Sequence, residues 1–153
     1  MPRIYDRTDY FFSYDGDFAV GPDKDIMDTS YDPLRAAHQE ILSRIRSDKG
    51  DWVYNPAIGA TLSRFVGMPN TQETANAMRQ AMLASLQYDN TVDISDVKIQ
   101  IVPVAFDMVA IRIELAYIRT RQNANSSPVT LTFLYDYQDN NVYPIENPGY
   151  SVN

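Results

Sequence analysis

Cysteine is absent from this 153-residue chain, and histidine occurs once, at His38. Those two shortages exclude a thiol nucleophile, a disulfide framework, a Cys/His zinc site and an iron–sulfur cluster. They also leave His38 as the only base that a Ser–His pair could use. With no second His or Cys to help it, His38 reads as a partly exposed helix residue. Lys and Arg number 13 against 20 Asp and Glu, a formal charge of −7, which argues against a dedicated nucleic-acid binder. No apolar run reaches the roughly 18–20 residues that cross a bilayer, and no charged start leads into an apolar signal core. The expectation is a soluble, unexported, non-enzymatic protein with no membrane contact.

Other chemistry is missing too. Only four glutamates occur, Glu40, Glu73, Glu114 and Glu146, and none sits in the paired context that a glycosidase needs. Asp15, Asp17, Asp23 and Asp25 lack the twelve-residue loop spacing and closing Glu of a calcium loop. No Gly-rich phosphate loop or nucleophile elbow appears. The sequence therefore predicts no catalytic residue, no cofactor and no metal.

What is present is a chain that fits one domain over residues 1–153, with 44% apolar residues and three sections of different charge. Residues 1–32 carry a balance of −5, residues 33–86 carry +2, and residues 87–153 carry −4. This divides the domain into an acidic arm (1–32), a core (33–137) and a tail (138–153). Tyrosine is abundant, with 11 residues mostly in the two end sections, where a large apolar face with a polar tip suits strand surfaces and interfaces alike.

The arm reads as a hairpin, with Tyr10 to Tyr14 and Asp17 to Val20 joined at Asp15-Gly16. A helix starts near Asp32 as cap and Pro33 as first residue, with Leu34, Ala37, Ile41, Leu42 and Ile45 on one apolar stripe. Arg44, Arg46 and Lys49 suit its C-terminal dipole, and Gly50 stops it. Gly59 permits positive φ or close backbone approach. A short helix through Leu62, Phe65 and Val66 ends at Gly67 and Pro69. Asn70 or Thr71 then caps another helix, with Glu73 as a possible capping-box partner and Ala75, Met78, Met82, Ser85 and Leu86 on its inner face.

After Asn90 the apolar period changes from 3.6 to 2. Val97, Ile99 and Ile101 alternate up to Pro103. Val109, Ile111, Ile113 and Leu115 form a second strand, and Val129, Leu131, Phe133 and Tyr135 a third beyond a long loop at 119–128. Three or more antiparallel strands packed by two to three amphipathic helices make an α+β domain with an N-terminal hairpin. The tail, with Pro144 and Pro148 and little periodicity, reads as extended.

The order of elements from residue 34 to 118 resembles the phage baseplate wedge family that starts the contractile sheath, once labelled lysozyme-like. Relatives occur in phage-like bacteriocins and type VI secretion. The resemblance rests on a helix, then Gly50-Asp51-Trp52-Val53-Tyr54-Asn55-Pro56-Ala57-Ile58-Gly59, then Leu62. A second helix ending at Leu86-Gln87-Tyr88 follows, and then the strand pair Val97–Pro103 and Ile111–Leu115. The arm, with Asp15-Gly16-Asp17-Phe18, is similar to phage members that carry a leading hairpin. One departure stands out. Most members carry a Glu-Pro-Arg triplet after the second helix that docks on the wedge, where this chain reads Tyr88-Asp89-Asn90-Thr91.

The resemblance implies a structural subunit of a contractile-tail baseplate, located in the virion and, during assembly, in the host cytoplasm. Its implied partners are the sheath protein, the wedge proteins and the tail tube, in several copies per particle, commonly six. It implies a sheet edge that the first sheath ring joins by strand addition. Val129, Thr130, Leu131, Thr132, Phe133 and Tyr135 form one candidate edge, and Val97 to Val102 another. Gly50, Asp51, Trp52, Pro56, Gly59, Tyr88 and Asp89 are the candidate wedge or tube contact, with Trp52 either an aromatic anchor or a core residue of a structural turn. The equivalent subunit of a secretion or bacteriocin particle is the nearest alternative, and a cell-wall hydrolase a distant one.

Overall fold

The computed structural model describes residues 9–12, 17–31, 33–90, 97–115 and 129–145. Helix α1 (Pro33–Arg46), a 3-10 turn (Leu62–Phe65) and helix α2 (Gln72–Gln87) precede four strands. These are β1 (Val97–Ala105), β2 (Met108–Leu115), β3 (Val129–Asp136) and β4 (Asn141–Ile145), in one antiparallel sheet of order β1-β2-β3-β4. The expected α+β class is the class found.

Helix periodicity explains which faces meet. Ile41, Leu42 and Ile45 of α1 and Ala75, Met78, Met82, Ser85 and Leu86 of α2 are buried, as three- and four-residue spacing requires. The Leu34 and Ala37 side chains and the Asp32 cap lie outside the described residues. Of the two cap candidates for α2, Thr71 takes the role, its Oγ1 accepting from Thr74 N at 3.3 Å. Asn70 instead donates from Nδ2 to Ala105 O at 3.2 Å, which ties the start of α2 to the β1–β2 hairpin.

The inner face of the sheet follows the two-residue alternation. Ile99, the four residues Val109, Ile111, Ile113 and Leu115, then Leu131, Phe133, Tyr135 and Val142 are all buried. Register stacks them across strands, with Ile111 opposite Phe133 and Tyr135 opposite Val142. Fully burying each such side chain contributes ~1.5–3 kcal/mol, so this face and the two helix stripes hold the layers together. His38 is a half-buried helix residue whose ring stacks on Phe133 at 5.8 Å between centroids.

Three details differ from the sequence reading. First, residues 138–153 are not all tail, because Asn141–Ile145 forms β4 with Val142 buried. The β3–β4 turn is held by Gln138 N donating to Asp136 Oδ1 (2.7 Å) and Asn141 N to Asp139 Oδ1 (3.0 Å). Arg46 then clamps β4 to α1, donating from Nη2 and Nε to Val142 O at 2.7 and 3.2 Å. The core thus reaches Val142, and the sheet Ile145. Second, β1 runs through Pro103 to Ala105, with a register shift between those two residues. An outer strand tolerates that proline because no neighbour needs its missing N–H. Third, the arm is more than a hairpin. Residues 9–12, 17–20 and 25–28 form three short extended segments joined by the bridges Tyr10–Asp28, Phe12–Phe18 and Val20–Ile26. The Asp15-Gly16 turn and the loop at 119–128 lie outside the described residues.

Candidate partner-binding site

A strand can be added only where backbone N–H and C=O groups face outward, so the sheet order decides which candidate edge is open. β3 is interior. β2 pairs with it from Val129 to Asp136, and β4 pairs on its other side from Thr132 to Asp136. Thr132, Phe133 and Tyr135 therefore have strand partners on both sides, so the candidate edge Val129, Thr130, Leu131, Thr132, Phe133 and Tyr135 is closed from Thr132 onward, and Val129 to Leu131 pair with β2 alone among the described residues. β4 had no strong alternating signal to announce it, and it occupies the place that edge would need.

The outer strands are β1 and β4. Proline limits each of them, since it lacks the N–H that an incoming strand would use. β4 offers only Asn141-Val142-Tyr143 ahead of Pro144. β1 offers Val97 to Val102 ahead of Pro103, with Lys98 and Gln100 exposed. Among the described residues the longest proline-free edge is thus the second candidate of the sequence reading.

The segment from Gly50 to Gly59 is a tightly tied surface loop. Gly50 N donates to Pro56 O at 2.9 Å, Asn55 N to Trp52 O at 3.1 Å, and Asp48 N to Asp51 Oδ2 at 2.8 Å. Gly59 has φ +132°, and a Cβ there would lie 2.6 Å from Ser47 O, so both reasons for glycine apply. The loop carries three apolar side chains outward: Trp52 is 49% exposed, Val53 84% and Tyr54 103%. Trp52 is therefore not a core residue. Its Nε1 donates to Ser47 Oγ at 2.9 Å, which fixes the indole at the end of α1. Tyr88 joins this loop, its hydroxyl donating to Asn55 Oδ1 at 3.1 Å. Gly50, Asp51, Trp52, Pro56, Gly59 and Tyr88 thus share one neighbourhood.

Asp89 serves a different contact. Its Oδ2 lies 3.3 Å from Arg44 Nη2, which also meets Glu40 Oε1 at 3.1 Å. Arg44 Nη1 donates to Ser85 O (3.0 Å) and Tyr88 O (3.3 Å), carbonyls at the C-terminal end of α2. The sequence placed Arg44 among cations serving the end of its own helix. In the fold its side chain is buried and serves the end of the other one. Asp89 holds φ +61° at this junction, so its carboxylate is spent on an internal ion pair.

Sequence reasoning missed a second apolar feature. Helices cover one sheet face, and on the other the register aligns Val102, Ala110, Leu134 and Tyr143 in one row across all four strands. Val102, Val104 and Tyr143 are exposed there. The signal was the loss of alternation at Ile101-Val102-Pro103-Val104. Glu114, on the same face, pairs with Arg112 at 2.7 Å, and Glu40 with Arg44, so both of these glutamates are in ion pairs. Among the described residues no group of three His, Asp or Glu is placed to hold a metal, and no helix is long and apolar enough to cross a membrane. A scan against models of known protein families finds no match to this chain, and a search among curated proteins finds none either.

Proposed function

We propose that this protein is a structural subunit of a contractile-tail baseplate that starts sheath polymerisation by accepting a strand at the β1 edge. The observation that carries the reading is the six-residue proline-free run from Val97 to Val102 on an outer strand. Strand addition gains main-chain hydrogen bonds along such a run, while side-chain alternation sets its register. Pro103 and the register shift beside it stop the pairing at a defined place, which limits uncontrolled growth. The Trp52-Val53-Tyr54 loop supplies a rigid apolar projection suited to a wedge or tube neighbour. The sheath, wedge and tube proteins are the partners of this reading, with several copies of the chain in each particle. A secretion or bacteriocin particle would use the same edge.

The test mixes the purified chain with its cognate sheath subunit and tube, and follows assembly by sedimentation. Substoichiometric chain should shorten the lag, and the outward amides of Val97 to Val102 should gain about tenfold or more protection from hydrogen exchange. Amides of β3 from Thr132 to Asp136, already paired on both sides, should change little. An unchanged lag with unchanged β1 protection would overturn the proposal.

A further inference from the structure

We infer that the N-terminal arm is a preassembled docking module for a protein surface bearing an apolar groove rimmed by Lys and Arg. Phe11 N donates to Met27 O (2.9 Å), Met27 N to Ala19 O (2.8 Å), and Ala19 N to Phe11 O (2.9 Å). Each segment gives one hydrogen bond and takes one, so the three close a ring. Thr29 N to Asp9 O and Gly21 N to Asp25 O, both 2.8 Å, lock its two ends.

That ring fixes which side chains face in. Phe11, Ala19 and Met27 are half-buried, so the neighbouring positions point outward. Those positions are Tyr10, Phe12, Phe18, Val20 and Ile26, exposed from 38% at Phe12 to 63% at Val20. Phe18 packs on Phe12 at 4.8 Å and edge-on to Tyr10 at 5.7 Å between centroids, so the rings form one continuous surface. A contiguous apolar exterior of this kind marks an interaction site. The module is also held in place: the Gln39 amide accepts from Phe12 N at 3.1 Å and donates to Tyr10 O at 3.0 Å, like a rung of a neighbouring strand.

Charge decides the partner. Asp9, Asp17, Asp23, Asp25 and Asp28 flank the patch residues in the chain against Lys24 alone, a balance of −4 among the described arm residues. Asp9, Asp25 and Asp28 are oriented by accepting backbone N–H groups of Tyr10, Ile26 and Ser30. The Ser30 contacts hold the Asp28 carboxyl below the usual carboxylate range, so it stays charged. This rim repels nucleic acid and anionic bilayers and complements a basic one.

The inference rests on the baseplate reading for the neighbour's identity: a wedge or tube subunit, since the sheath is assigned to β1. The test measures binding of the full chain to separately purified wedge and tube subunits by calorimetry, alongside the sheath lag. Phe12→Ser/Phe18→Ser/Ile26→Ser and Asp23→Lys/Asp25→Lys should each weaken wedge or tube binding about tenfold or more. Wild-type affinity should fall as salt rises from about 50 to about 500 mM. The sheath lag at saturating chain should stay at the wild-type value. Amide protection at Phe11, Ala19 and Met27 confirms that the ring survives in each variant. Wild-type binding by both variants, salt-independent binding, or no binding of the wild-type chain to any wedge or tube subunit would overturn the inference. A wild-type chain without effect on the lag would instead sink the sheath-initiator reading.

Discussion

Replacing Arg44 with Ala should destabilise the fold by about 3 kcal/mol, near the lower end of the ~3–5 kcal/mol for removing one partner of a buried ion pair. The low end follows from the surroundings. Arg44 is 4% exposed at its side chain, but Glu40 and Asp89 are 24% and 37% exposed, so water can take over part of their hydration. The loss that water repairs least is at Ser85 O, in a residue only 2% exposed, where an orphaned acceptor costs ~1–3 kcal/mol. Arg44→Met, which keeps the apolar stem, should cost about 2 kcal/mol. Arg44→Lys should fall close to it, because a point charge cannot reach both carbonyls and both carboxylates at once. Glu40→Gln and Asp89→Asn should cost only about 0.5–1 kcal/mol each.

The informative measurement is a double-mutant cycle by urea denaturation, followed by circular dichroism at 222 nm. Asp89→Asn should cost close to nothing in the Arg44→Met background, since its partner is already gone. An Arg44→Ala loss below about 1 kcal/mol, or an equal Asp89 cost in both backgrounds, would refute the assignment of this network as the tie between α1 and the end of α2.

Gly59→Ala should cost about 3 kcal/mol or more, because strain at positive φ adds to a clash with the Ser47 and Asp48 backbone; Gly67→Ala, at φ +78° in open space, should cost only ~1–2 kcal/mol. Equal losses on urea denaturation would remove the close-approach argument. Burial, then the nearby Tyr137 and the carboxylates of Asp48, Asp136 and Asp139, push the Tyr135 hydroxyl well above its ordinary value of 10.0. The folded state therefore keeps a proton that the unfolded chain loses, so stability is full below pH 10 and falls above it by about 1.4 kcal/mol per pH unit from this group. Tyr135→Phe should flatten that slope by the same amount in urea titrations between about pH 10 and 11, and an unchanged slope would exclude the group as its source. Gln39→Ala should raise hydrogen exchange at Phe12 about tenfold while leaving Ile111 and Ile113 amides at wild-type rates, and a matching rise in the core would mean the arm and core open together.

Where the sequence could be read and where it could not follows from the range of each signal. The helix stripes were legible because Ile41, Ile45, Met78 and Met82 repeat within a few residues, and burial on one face is a local consequence of that repeat. The same holds for the alternation in β1 to β3. β4 was lost because Pro144 and three consecutive polar residues, Asp139, Asn140 and Asn141, mask the one buried residue of that strand, Val142. That single omission also left β3 beside β1 as a candidate edge, since a strand's position in a sheet depends on every other strand.

Arg44 teaches the same lesson in electrostatics. Its place near the end of α1 gave a sound local expectation, yet three of its acceptors, Ser85 O, Tyr88 O and Asp89, sit more than forty positions away in the chain, with Glu40 alone local. Tyr135 behaves likewise, its hydroxyl donating at 2.9 Å to Leu62 O, seventy-three positions away. For this chain the consequence is specific. The surfaces offered to partners, the Val97–Val102 edge, the Trp52–Tyr54 loop and the aromatic arm, are each short and locally built. What holds them in place is long-range: Asn70 on Ala105 for the hairpin, Tyr88 on Asn55 for the loop, and Gln39 on the backbone of Tyr10 and Phe12 for the arm. A substitution at one of these three polar ties should therefore alter partner binding through the orientation of a surface whose own side chains are untouched.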